Sequence, residues 1–218
     1  MHFSAIFFDF DGVMADTMPW HLPAWKQVIE EQYGFPFQPM TVKLNEGRPA
    51  VDIAKVVFED AGQDYTPEIL AHVVDQKNAL FRANSKACVY PENFEIIQHA
   101  QDAGLRVGLV TGTRLENVHA LLPEKLLADF DAIIVDGDVE RGKPCPDPYV
   151  QAAQRCRVEP NNCLVIENAP LGIQAGKSAG MFCIALKTTL SSEHLQAADV
   201  IFENHAELLA NIGKYIST

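Results

Sequence analysis

Asp9 and Asp11 bracket Phe10 where the apolar run Ser4-Ala5-Ile6-Phe7-Phe8-Asp9-Phe10 closes at Gly12. On an extended strand the two carboxylates point to one side and Phe10 to the other. Such a pair can bind Mg²⁺, or divide the work of nucleophile and proton carrier. A bare solvated strand end is the alternative, and an apolar run makes it an uncomfortable one. Farther on, Val110-Thr111-Gly112-Thr113 offers a hydroxyl and backbone N–H groups ahead of a helix beginning near Leu115, an anion site in form, although Thr and Gly also serve as plain caps. Lys143 stands in Gly-Lys-Pro-Cys-Pro-Asp-Pro, a proline-stiffened turn able to fix a cation. The stretch Gly137–Lys143 approaches a nucleotide-binding P-loop, but Pro144 supplies neither the required hydroxyl nor an N–H. Glu167-Asn168 follows Leu164-Val165-Ile166 and brings hard oxygen donors to a further strand end.

These groups need elements that bring them together. Strands are predicted at residues 4–10, Leu105–Val110, Ala132–Val135, Cys163–Ile166, Phe182–Leu186 and Asp199–Phe202, with helices Glu92–Ala103, Pro148–Cys156 and Leu171–Ala179 among them. The first helix is read with Phe94, Ile97 and Ala100 on its inner face. Alternation of strand and helix indicates an α/β fold with a Rossmann-like parallel sheet, in which ligands bind at the carboxyl ends of the strands. Residues from about Thr17 to Asn84 break this rhythm. They show only helical patterns, at Trp25–Tyr33, Val51–Ala61 and Pro67–Ala83. The expected division is therefore an α/β core of residues 1–15 and 86–218 with an inserted α-helical cap of residues 16–85.

Composition narrows the partners. The 218 residues are 48% hydrophobic, enough for a packed core, and carry a formal net charge of −12. That charge disfavours nonspecific binding to nucleic acid or an anionic membrane, yet leaves room for a local site that takes an anionic small molecule. No apolar run reaches the roughly 18 residues of a membrane span, and the N-terminal run is cut by Asp9 and Asp11, unlike a signal peptide. Five cysteines without C-x-x-C spacing read as small buried hydrophobes in a reducing, cytoplasmic setting. The chain is expected to act as a monomer.

Asp9-x-Asp11-Gly12-Val13, Thr111, Lys143-Pro144 and Glu167-Asn168-x-x-x-Gly172 resemble, in order, the four motifs of the haloacid dehalogenase-like phosphohydrolase superfamily, and the helical insert resembles the cap of its beta-phosphoglucomutase-like branch. The dehalogenase members lack the second aspartate, so Asp11 points to phosphoryl chemistry. The resemblance implies that Asp9 attacks phosphorus and becomes an aspartyl phosphate, that Asp11 is acid and then base, that Thr111, Gly112 and Thr113 hold phosphoryl oxygens, and that Lys143 neutralises charge. It implies Mg²⁺ on Asp9, the Asp11 backbone carbonyl, Glu167 and Asn168. The usual second acid of the last motif is here Asn168, which ligates without adding charge. Glu46, in Asn45-Glu46-Gly47-Arg48, is the candidate to supply it, and with His21, Arg48 and Lys77 it resembles the inorganic-pyrophosphatase members of the branch. The ordinary alternatives are an exposed loop ion pair for Glu46 and Arg48, a structural hydrogen bond for His21 and a solvated Lys77. The expected activity is Mg²⁺-dependent hydrolysis of inorganic pyrophosphate or a sugar phosphate, with a beta-phosphoglucomutase-type sugar phosphate mutase as the rival.

Overall fold

The computed structural model describes residues 2–216. Six parallel strands, β1 (Ala5–Phe8), β2 (Arg106–Val110), β3 (Ala132–Ile134), β4 (Cys163–Glu167), β5 (Phe182–Leu186) and β6 (Val200–Phe202), form one sheet in the order β3-β2-β1-β4-β5-β6. Phe8 pairs with Leu109 on one side and Ile166 on the other, so β1 is central and the strand order reverses beside it. Such a reversal opens a crevice at the strands' carboxyl ends.

The helices are α1 (Met18–Val28), α2 (Pro39–Leu44), α3 (Ala50–Asp60), α4 (Pro67–Asn84), α5 (Glu92–Asp102), α6 (Leu115–Leu121), α7 (Glu124–Leu127), α8 (Asp147–Cys156), α9 (Pro170–Ser178), α10 (His205–Asn211) and α11 (Gly213–Ile216). Alternation along β1 explains the layering. Ile6 and Phe8 enter one core with Ile96, Ile97 and Ala100 of α5 and Leu208 of α10. Ala5 and Phe7 enter the other with Tyr149 and Ala152 of α8 and Ile173 of α9. A strand buried on both faces must be apolar throughout, and β1 is.

Helices α1 to α4 pack around a core of their own, built on Trp25, Val28, Ile53, Phe58, Leu70 and Val73. Two antiparallel segments join them to the sheet: Ala15 bridges Val89, Asp16 N–H donates to Cys88 O and Tyr90 N–H donates to Met14 O. No helix among the described residues is long and apolar enough to cross a membrane.

Several expectations are corrected. The first strand stops at Phe8, and Asp9 to Asp11 already belong to the turn that follows. Helix α1 begins at Met18 rather than Trp25, because Pro19 lies in the first turn, where a missing N–H costs nothing, and burial of His21 and Trp25 carries the helix through Pro23; its continuation Ile29–Tyr33 is a π-turn closed by Gly34 at φ 72°. Helix α2 is too short to show a period. On α5 the buried stripe is Asn93, Ile96, Ile97 and Ala100, spaced i, i+3, i+4, i+7, which turns Phe94 outward at 47% exposure. Of the cysteines, all unpaired, Cys156, Cys163 and Cys183 are buried, whereas Cys88 is exposed and Cys145 half-buried.

The α5 assignment is testable by urea unfolding. Ile97→Ala should cost about 2–5 kcal/mol, and Phe94→Ala should stay within about 0.5 kcal/mol. Equal losses would restore Phe94 to the core.

Candidate active site

The crevice gathers residues from four strand ends. Asp9 leaves β1 and is buried, with its N–H donating to Ile166 O of β4. Lys143, carried by the turn after β3, donates its three ammonium hydrogens to Asp9 Oδ1 at 2.5 Å, Glu167 Oε1 at 2.7 Å and Val110 O at 2.9 Å. Burial opposes its charge, but the Asp9 and Glu167 carboxylates outweigh burial and hold the ammonium protonated. For Asp9, burial raises proton affinity; Lys143 works against this, and the charges of Glu167 and Asp11 add to it.

Glu167 is fully engaged within the protein. Its Oε1 also accepts from the Tyr149 hydroxyl at 2.9 Å, and Oε2 accepts from the N–H groups of Asn168 and Ala169. Gly172 is required because any side chain there would occupy the space this carboxylate fills. Glu167 thus stands behind Lys143 as its counter-ion.

Asp11 collects three donors: Thr17 Oγ1 at 2.7 Å and His21 Nε2 at 3.1 Å on Oδ1, and Thr113 Oγ1 at 2.7 Å on Oδ2. Burial works against ionisation, but the hydrogen bonds from His21, Thr17 and Thr113, with the pull of His21, hold it far below the usual carboxylate range. His21 itself is lowered by burial and by Lys77, against the pull of Asp11. Because ionised Asp11 can only accept, Nε2 carries the proton, and Nδ1 is left buried without a partner. Thr113 spends its hydroxyl on Asp11, while its N–H donates to Thr111 Oγ1 at 3.0 Å and leaves that hydroxyl's own proton to give away. Gly112 packs against the carbonyls of Gly47 and Arg48, an approach that leaves no room for a Cβ.

The helical layer closes over this edge. Glu46 is buried rather than exposed, and its partner is Asn168, not Arg48: Asn168 Nδ2 donates to Glu46 Oε1 at 3.0 Å. Burial pushes the Glu46 carboxyl well up, with Asn168 opposing and Asp11, Asp9 and Glu167 reinforcing. Lys77 is also buried, 5.3 Å from the Trp25 ring, with a 3.4 Å bond to Asn78 Oδ1. Burial brings its pKa down to about 8 even though Asp11 works to raise it. Asp11, His21, Glu46, Arg48, Lys77 and Asn78 border one cavity of about 90 Å³.

This donor set fits a hard divalent cation on two observations. The acids of Asp9, Asp11 and Glu167 lie close enough to Glu46 to raise its proton affinity, a crowding that a cation would relieve. Two buried oxygens, Asn168 Oδ1 and Glu46 Oε2, also have no hydrogen-bond partner. Oxygen ligands, some of them charged, are what such cations take.

Some contributors were not singled out in the sequence. Tyr149, Thr17 and Thr189 each place one hydroxyl, and nothing in their local pattern marks them. Asn78 did carry a signal: in α4 the buried stripe runs Leu70, Val73, Val74, Lys77, Asn78, Phe81, so two polar residues occupy apolar positions of an amphipathic helix.

The haloacid dehalogenase-like hydrolase family matches residues 3–180. The chain is 31% identical to validoxylamine A 7'-phosphate phosphatase of Streptomyces hygroscopicus subsp. limoneus, over 92% of this chain and 93% of that protein. It is 29% identical to beta-phosphoglucomutase of Bacillus subtilis (strain 168), over 94% and 91%. A solved Bacteroides vulgatus structure carrying a provisional beta-phosphoglucomutase name superposes with a TM-score of 0.85 at 32% identity, covering 97% of this chain and 88% of that one.

Lys77 yields a prediction with a definite sign. The folded protein releases this proton near pH 8, whereas an ordinary lysine holds it to 10.5, so stability rises with pH between those values and is flat in this group below them. Lys77→Met should gain on the order of 1–3 kcal/mol at pH 7, and most of that gain should vanish by about pH 10. Urea titrations at both pH values check it; an equal gain at both refutes it.

Proposed function

The chain belongs to the haloacid dehalogenase-like hydrolases, a family whose members similar to it include phosphatases and a phosphomutase, and on that premise we propose that it is a Mg²⁺-dependent phosphohydrolase working through a phospho-Asp9 intermediate. The observation that carries this reading is the buried Asp9 carboxylate held by Lys143, with the three-donor Asp11 two residues away. Asp9 attacks phosphorus through a carboxylate oxygen, the leaving group departs, and water then cleaves the phospho-aspartate. Asp11, ionised under its three donors, takes the proton of the attacking water in the second half, and it can hand a proton to a leaving group only after taking one up. Thr111 and the Gly112 N–H bind phosphoryl oxygens, and Lys143 offsets the approach of one anion to another in a buried site. In this reading Asp9, the Asp11 carbonyl, Asn168 and Glu46 would hold Mg²⁺, with Glu167 acting through Lys143. Bound there, Mg²⁺ would neutralise charge on the phosphoryl oxygens.

Two features favour a leaving group that is itself anionic, and so favour inorganic pyrophosphate. Lys77 is a buried lysine that donates to the neutral Asn78 amide and makes no ion pair among the described residues, so it puts a cationic group on the helical side of the cavity. Asp11 is held ionised by its three donors, so it has no proton at hand for a strongly basic sugar alkoxide, whereas a weakly basic leaving phosphate needs none. A sugar phosphate is the second reading. Met18, Trp25 and Val74 give the same cavity an apolar wall, and Asn78 can address hydroxyls. The mutase rival differs only in how long phospho-Asp9 survives water.

Phosphate release across pyrophosphate, hexose phosphates, nucleotides and phosphonates, with Mg²⁺ and with EDTA, tests the assignment. Pyrophosphate should lead and EDTA should silence the enzyme; a hexose phosphate in first place would overturn the pyrophosphate reading alone. Glucose 6-phosphate formed from beta-glucose 1-phosphate with a trace of bisphosphate would establish the mutase. Asp9→Asn should show no turnover above background, and Asp11→Asn should lose about 10²–10⁴-fold with an unchanged melting profile. Turnover by Asp9→Asn within tenfold of wild type would exclude the covalent route.

A further inference from the structure

Resting on the reading of Asn168 as a cation ligand, we propose that Thr189 is a positioning residue that holds the Asn168 carboxamide so that Oδ1 remains its free donor atom. A carboxylate at this position would offer two equivalent oxygens. A carboxamide offers one, because its nitrogen cannot ligate a hard cation. Substituting an amide for an acid therefore creates a need the acid does not have: the side chain must be held in one place and one sense.

The structure meets that need with two acceptors. The two hydrogens on Asn168 Nδ2 go to Glu46 Oε1 at 3.0 Å and to Thr189 Oγ1 at 2.8 Å. Oδ1 is buried and unpaired. Glu46 sets the sense of the amide, since reversal would press Oδ1 against a carboxylate oxygen. Thr189 sets its place. Glu46 comes from the helical layer, whereas Thr189 lies in the turn directly after β5, on the same sheet as Asn168. Gly12, at φ +76°, completes the arrangement: a Cβ there would collide with Asn168 Nδ2 and come within 2.9 Å of Thr189 Oγ1. The turn that presents Asp11 is thus shaped around the Asn168–Thr189 pair. Outer groups that orient a metal ligand typically change metal affinity about 10–100-fold when removed.

The test compares wild type, Thr189→Val, Thr189→Ser and the neighbouring control Thr188→Val, whose Oγ1 has no partner in the structure. Mg²⁺ binding is read by calorimetry, and the Asn168 side-chain amide by ¹⁵N NMR of metal-free protein. Thr189→Val should shift the amide resonances and weaken Mg²⁺ about tenfold; Thr189→Ser should restore both, and Thr188→Val should change neither. In an Asn168→Asp background the Thr189→Val loss should shrink, because either carboxylate oxygen can ligate. Unchanged Mg²⁺ affinity in Thr189→Val overturns the proposal, as does a loss that serine fails to rescue or that Thr188→Val reproduces. Wild type taking up no Mg²⁺ would refute the metal reading itself, a failure visible without any variant.

Discussion

The organising constraint is one ammonium group buried at the carboxyl edge of the sheet. Lys143 Nζ donates to Asp9 beyond β1, to the Val110 carbonyl at the end of β2 and to Glu167 at the end of β4, so its three hydrogens tie together three neighbouring strands. A buried charge is tolerated only when paired and fully hydrogen-bonded, and loss of one partner from such a group typically costs about 3–5 kcal/mol. The groups behind Lys143 follow from this. Glu167 balances it, Tyr149 and two backbone N–H groups saturate Glu167, and Gly172 leaves space for the carboxylate. On the other side, Asp11 and Glu46 border a cavity that Arg48 and Lys77 also line.

The helical layer answers the same electrostatics from above. It contributes Thr17 and His21 to Asp11, Glu46 to Asn168 and the buried Lys77 to the cavity. Contact of the Glu46–Arg48 turn with the core depends on close backbone approach at Gly112, where a Cβ would meet the Gly47 and Arg48 carbonyls. Asp11, of low proton affinity, and Lys77, of reduced basicity, border the same cavity. Groups poised in this way are concentrated where chemistry is done.

Much of this was legible in the sequence, for identifiable reasons. Strands buried on both faces leave unbroken apolar runs, so β1, β2, β4 and β5 stood out, and polar residues placed directly after such runs marked Asp9, Thr111 and Glu167. The helical insert announced itself by lacking any such run. Other features were hidden because their cause is tertiary. Phe94 reads as a core residue by spacing from Ile97, and only the pairing of Asn93 and Ile96 with α5's neighbours fixes which stripe is inward. The start of α1 was masked by Pro19 and Pro23, whose local penalty is overridden by burial. Thr189 is invisible locally, because its importance comes from Asn168, 21 residues away. For Thr113 the resemblance implied a phosphate ligand, and its hydroxyl donates to Asp11, a contact that no local pattern shows.

The central claim is that Asp9, under the charge of Lys143, becomes the covalent carrier of the phosphoryl group. Rapid acid quench of the enzyme during turnover of pyrophosphate, followed by peptide mass spectrometry, tests it most directly. The account predicts a phosphoryl adduct confined to Asp9, formed and lost at rates at least equal to steady-state turnover. Sustained turnover with Asp9 unmodified at every time point, or with the adduct on another residue, would contradict it.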